Sequence, residues 1–134
     1  MIPKYRVWVN KIKAIIKPDD IIDINYEEKK ILAQEIYLVA GLPDSRTLDH
    51  YDFDEIKLMQ STDMVDRNGN IIFEGDIVKM SKDVYSEPTY YEVARHYGGA
   101  YRLESKQHGC ELWLRHTDCV VVGNVYENKE LLDA

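Results

Sequence analysis

The stretch "DRNGNIIFEGDIVKM", Asp66 to Met80, constrains the fold more than any other part of the chain. Asn68-Gly69 has the positive-φ preference of a type I′ hairpin turn, and Gly75-Asp76 bends the chain again after only Ile71 to Glu74. One short strand fits between these reversals, and Asp76 to Met80 departs as the next. Short strands turning at glycines close a small β-barrel or roll without leaving long sheet edges.

Period-two alternation extends this reading in both directions. "KYRVWVN" and "KIKAIIK" form an N-terminal strand pair, "IIDINY" a third strand, and "ILAQEIYLVAG" is read as a strand because Ile36 to Val39 outweigh its partial helical spacing. "LPDSRTLDHYDFDE", Leu42 to Glu55, holds Pro, Ser and five acids without a period and reads as a long loop joining two halves. Beyond Met80, strands are expected at "TYYEVARH", "AYRLES", "CELWLRH" and "CVVVGNVYE", followed by one helical turn capped by Asn128.

A chain of 134 residues is an ordinary single-domain size. The longest apolar run, "CVVVG", is far short of a membrane helix, and no signal peptide is credible, so a cytoplasmic location is expected. In that compartment Cys110 and Cys119 are expected as reduced thiols, although a hairpin would make them neighbours. The net charge of −7 is unevenly spread. Met1 to Lys17 carries five bases (Lys4, Arg6, Lys11, Lys13, Lys17) and no acid, whereas Pro43 to Asp66 carries seven acids against Arg46 and Lys57. Acidity disfavours duplex binding, which depends on neutralising phosphates.

Three blocks, "MIPKYRVWV", "LMQSTDMVDRNGNIIFEGDIVKM" and "VVVGNVYENKELL", occur in an order that resembles the YopX family of phage and prophage proteins of Gram-positive bacteria. The resemblance implies a single domain over 1–134, mainly β. A strand-rich N-terminal part with its acidic loop (1–55) precedes an SH3-like barrel (56–134), and no reaction is implied. Ser61, Thr62 and Asp63 stand where the family pattern has an aromatic residue, Thr and Gly.

No constellation carries a nameable chemistry. His108, Cys110, His116 and Cys119 have the donor types for zinc. Their spacing instead straddles an expected strand with Cys110, Leu112, Leu114 and His116 on one face, so Cys110 reads as a small core residue. Asp49, Asp52, Asp54 and Glu55 lack the glycine-punctuated order of a calcium loop and read as a solvated connector. The serines have no nucleophile elbow, and no phosphate-cradling loop is present. No enzyme activity, cofactor or metal is expected. Tyrosine is the compositional excess: Tyr85, Tyr90, Tyr91, Tyr97 and Tyr101 cluster with Arg95 and Arg102. Tyrosine offers large contact area at low rotamer cost, so this segment is the candidate binding surface for a host or phage protein, or for a second copy in a homo-oligomer. Alternation sets Tyr90 and Tyr91 on opposite faces. The alternative is an accessory protein that binds nucleic acid through the basic N-terminal strands or by stacking bases on the Arg-Tyr segment.

Overall fold

The computed structural model describes residues 4–81, 87–96, 99–106 and 109–133. The chain divides into two compact units, Met1–Met59 and Gln60–Ala134, and is mainly β, as the sequence implied.

In the first unit β1 (Tyr5–Val9) pairs antiparallel with β2 (Ala14–Ile16), Val7 opposite Ile16 and Val9 opposite Ala14. A second sheet has the order β3 (Ile21–Asn25), β4 (Lys30–Val39), β5 (Leu42–Asp52). Val7, Val9, Ile31 and Ile56 form the core, with Tyr51, Phe53 and Leu58 packed against it. The alternating aliphatics of β1 and β4 supply it because alternate side chains of a strand face one way.

β5 corrects the reading of Leu42 to Glu55 as a loop: eleven of these residues form a strand paired with β4 from Lys30↔Asp52 to Val39↔Leu42, with one register shift between Tyr37 and Leu38. Ten of the eleven side chains are exposed and only Tyr51 is half-buried. With neither face covered, selection for alternating aliphatics is absent and the periodic signal vanishes. The turn joining β4 to β5, Ala40-Gly41, has positive φ at both positions (52° and 80°), the backbone that a two-residue I′ turn requires. Expected at Asn68-Gly69, that backbone occurs here instead.

The unit boundary falls inside β6 (Ile56–Val65). In the second unit, β6 pairs with β7 (Ile71–Phe73) through Ser61↔Phe73 and Val65↔Ile71, with an irregularity between. Asp63 there has φ +62, a left-handed backbone that glycine takes without steric cost and Asp tolerates better than most residues. The glycine of the family pattern thus has a conformational reason. The local chain is held by Thr62, whose hydroxyl donates to Ile72 O at 2.7 Å and accepts from Met64 N at 3.2 Å.

Between β6 and β7, Gly69 N donates to Asp66 O (3.0 Å), Asp66 N donates to Asn70 O (2.9 Å), and only Gly69 is left-handed, at φ +84. This is a longer turn ending on a left-handed glycine, not the two-residue type I′ turn expected, because the Asp66 carboxylate accepts from both Asn68 N and Asn70 N and stabilises the wider loop. Gly69→Val forces a β-branched residue into that backbone and should lower stability by about 1 kcal/mol or more. An unchanged denaturation midpoint would contradict the turn geometry.

The second turn signal has a different purpose. Gly75, φ +86, lets the chain leave β7, which pairs with β6, and enter β8 (Asp76–Ser81) of another sheet. Its N–H donates to Val93 O at 2.8 Å. That sheet is a curled half-barrel of order β11 (Gly109–Glu111), β10 (Tyr101–Glu104), β9 (Pro88–Arg95), β8, β12 (Val120–Asn124). Its core is Ile72, Val78, Met80, Tyr91, Val93, Leu103, Leu112 and Cys119.

Two local expectations fail here. "CELWLRH" ends as a strand at Glu111 and becomes a short helix, α1 (Leu112–Arg115), with Leu112 buried but Trp113 and Leu114 exposed. Leu and Arg favour helix, and this run holds no β-branched residue to oppose it. The closing turn forms at Lys129–Asp133, but the Asn128 side chain faces backward and accepts from Asn124 N at 3.2 Å instead of capping that turn. Among the described residues no helix is long and apolar enough to cross a membrane.

Candidate functional site

The tyrosine-arginine segment does not form one patch. Tyr85 and Tyr97 lie outside the described residues. Tyr91 stands opposite Val78 and is wholly buried, whereas Tyr90 stands opposite Lys79 and is half-buried, so the two do face opposite ways. Tyr101, opposite Arg95, packs against the core. Burial raises its phenol pKa, Glu74 adds to this, and Arg95 opposes it.

Both arginines are already engaged. Arg95 donates to Gln60 Oε1 at 3.1 Å and lies 3.7 Å from Glu74 Oε2. Arg102 sits 3.0 Å from Glu104 Oε1 and 2.6 Å from Glu111 Oε1, and hydrogen bonds to Glu104 and then Glu111 raise its pKa. Glu92 stands opposite Glu104 on the same face, so acids outnumber bases around Arg102. A base-stacking surface needs unneutralised cations beside exposed rings. Among the described residues, both arginines of this segment are already paired with carboxylates.

The residues considered for zinc have other engagements. His108 lies outside the described residues. His116 Nδ1 is 2.8 Å from Val65 O, and the Cys119 thiol donates to Arg115 O at 3.3 Å. Cys119 is fully buried in the core, and Cys110 is half-buried and packs against it, on the core side as read from the sequence. Both thiols are free. Burial pushes the Cys119 thiol up to about 12 and also raises Cys110. Since the thiolate is the reactive form, a thiol reagent at about pH 8 should label Cys110 first in the native protein and Cys119 only on unfolding. Equal native labelling rates would contradict this placement.

Of the acids considered for a cation, Asp52, Asp54 and Glu55 bring carboxylate oxygens within 4.8 Å of one another, while Asp49 is not among them. Glu55 Oε1 already accepts from Asp52 N at 3.2 Å, and acids at the start of a helical turn offset its dipole.

The first unit carries what the residue pattern did not disclose. Beyond Ala33, the last β4 residue paired with β3, the strands β4 and β5 continue as a two-stranded ribbon. Alternation along β4 with the pairs Gln34↔Leu48 and Ile36↔Arg46 places Ile36, Leu38 and Leu48 on one face, interspersed with Gln34 and Arg46, whose guanidinium donates to Gln34 Oε1 at 3.1 Å; all three aliphatics are exposed, Leu38 at 61%. Beside the ribbon lies a cavity of about 550 Å³, walled by β2, by residues 33–36 of β4, and by Asp20, Asp49 and Tyr51. Burial raises the Tyr51 pKa, and the charges of Asp49, Glu35 and Glu55 raise it further.

These features define a mainly β protein of two units, with an aliphatic ribbon and an acid-bordered cavity in the first. The model of the family described as YopX protein matches residues 4–133, and the chain belongs to the YopX family. Among solved structures it is similar to protein EF1440 from Enterococcus faecalis (TM-score 0.66, 25% identity, 98% of this chain and 99% of that one). It is also similar to protein YopX from Bacillus subtilis, with TM-score 0.65, 20% identity and coverage of 96% and 97%. No curated protein matches the chain.

Proposed function

We propose that this protein is a phage- or prophage-encoded accessory protein that catalyses no reaction and acts in the bacterial cytoplasm as a protein-interaction module. The observation that carries this reading is the exposed aliphatic face of the β4–β5 ribbon, Ile36, Leu38 and Leu48. A two-stranded ribbon is marginal in water on its own, and exposed aliphatics gathered on one face favour association. The raised thiol pKa values are the reverse of what a cysteine nucleophile needs. In the second unit, β8 to β11 form a meander and β12 returns to β8 after a turn of 3₁₀ helix at His116–Asp118; we read this as an SH3-like arrangement.

The test is capture from a Gram-positive bacterial lysate on immobilised protein, with and without nuclease, using wild type and Leu38→Lys/Leu48→Lys. The reading expects a protein captured regardless of nuclease and lost with the variant; capture that vanishes with nuclease would refute it. Nucleic-acid binding is disfavoured by the pairing of Arg95 and Arg102 with carboxylates. No binding of duplex or single-stranded DNA is expected at about 150 mM salt, and only weak binding at low salt. Micromolar affinity with a steep salt slope, abolished by Lys11→Glu/Lys13→Glu, would favour the nucleic-acid alternative.

A further inference from the structure

The cavity of the first unit lies over the face of the β4–β5 pair that carries Ala33, Glu35, Asp49 and Tyr51, and two strand edges complete its border. Successive side chains of a strand point to opposite sides, so consecutive residues line one cavity together only where the strand turns its edge toward it. Residues 14–16, the whole of β2, line it in succession, and so do residues 33–36 of β4. Among the described residues β2 has β1 as its single sheet neighbour, and β4 is paired with β3 no further than Ala33. Both edges therefore present backbone N–H and C=O groups without strand partners, the feature that extended peptides recognise.

Charge sets the second requirement. Asp20, Glu35 and Asp49 border the cavity with no Lys or Arg among the lining residues, and Ile12, Ile16 and Ile36 supply aliphatic surface. A volume of about 550 Å³ is within the range that encloses a ligand. We propose that this cavity is a slot for an extended segment of a partner protein, which adds as a strand along the edges of β2 and β4. Its Lys or Arg side chains meet Asp20, Glu35 and Asp49, and its alternate aliphatic side chains meet the isoleucines. The proposal rests on the interaction-module reading and specifies the partner's chemistry. The chain's own basic aliphatic run, Lys11 to Lys17, has a suitable composition but includes β2, which already walls the cavity and pairs with β1. A second copy offering that run would have to release its own β2 from β1. A small aliphatic polyamine would match the carboxylates but leave the backbone groups unpaired.

The probe is a short fluorescent peptide of alternating lysine and valine, measured by anisotropy at about 150 mM salt. Saturable binding of one peptide per chain is expected, at least about tenfold weaker for Glu35→Lys/Asp49→Lys, as for charges that fix a partner's register. Equal weakening is expected with wild-type protein when the peptide is N-methylated at alternate residues, which keeps its charge and removes strand-pairing donors. A glutamate-valine peptide should not bind. Absence of binding, binding indifferent to the charge reversal, or binding indifferent to N-methylation would each overturn the slot. Self-association of the wild type that Glu35→Lys/Asp49→Lys abolishes would overturn it in favour of a second copy. If the charge-reversed variant does not fold, the N-methylated peptide still decides on wild-type protein. Lysate capture that depends on Leu38 and Leu48 but survives the charge reversal, with no peptide binding, would reject the slot alone and leave the interaction reading standing.

Discussion

Tyr91→Ala is expected to destabilise the second unit by about 3–5 kcal/mol, the usual range for removing a large buried aromatic side chain. Tyr91 is fully buried in a cluster with Val78, Leu103, Leu112 and Cys119, so truncation leaves a cavity that hydrogen-bonded strands cannot collapse to fill. Tyr90→Ala, one residue away but on the outer face opposite Lys79, should cost under about 1 kcal/mol. Whole-domain stability is typically about 5–15 kcal/mol, so the first variant should be largely unfolded in mild denaturant and the second not. Equal urea midpoints for the two would contradict the register of β9. Because Tyr91 is structural, lost partner binding in Tyr91→Ala would say nothing about an interface.

Asp66→Ala should be nearly as damaging for a different reason. Asp66 is 2% exposed, and its carboxylate accepts three backbone hydrogen bonds, each 2.9 Å: from Asn68 N and Asn70 N in its own turn, and from Val121 N in β12. Alanine leaves these donors without their charged acceptor, and hydrogen bonds to charged groups contribute about 1.5–3 kcal/mol each, so a loss of about 3 kcal/mol or more is expected. Burial alone would raise the Asp66 pKa, but the hydrogen bonds from Val121, Asn70 and Asn68 outweigh it and hold the pKa below its ordinary value. A group lowered on folding contributes stability that is present above its unfolded pKa and lost as pH falls through the folded one. Wild-type urea midpoints should therefore fall below about pH 4, near the unfolded carboxyl pKa, with a shallower fall in Asp66→Asn. Parallel acid limbs in the two proteins would remove Asp66 from the acid transition.

Those strands with a covered face were legible in the residues. β9 alternates because burial selects Tyr91 and Val93 on one side, which correctly separated Tyr90 from Tyr91; β1 keeps Val7 and Val9 on the core side although Trp8 between them is also buried, and β4 was read from its strand-favouring residues Ile36 to Val39 instead of from alternation. β5 was not legible, since exposure on both faces leaves Pro43, Asp44 and Ser45 unselected against and its composition imitates a loop. α1 was missed because the five residues from Cys110 to Leu114 satisfy strand alternation as well as helical preference, and a single turn is too short for periodicity to decide. The ion pair of Arg102 with Glu111 depends on cross-strand register, which sets Glu111 opposite it from nine residues away. The cavity was hidden for a related reason. It exists where β3 stops pairing with β4, and that stopping point is a property of the sheet, not of any residue in it. The acids Glu35 and Asp49 were visible as charges, but their meeting with β2 was not.

The return of β12 to β8, Val120 opposite Lys79, bears on how the protein is made. During synthesis β8 leaves the ribosome long before β12 exists, and until then one edge of β8 has no partner while the aliphatic face of the sheet lacks Cys119. Non-local pairings of this kind delay folding and leave a sticky intermediate in the interval. Because β12 can pair only once it has cleared the ribosome, any delay that withholds it after β8 has emerged prolongs the exposure of that edge to aggregation.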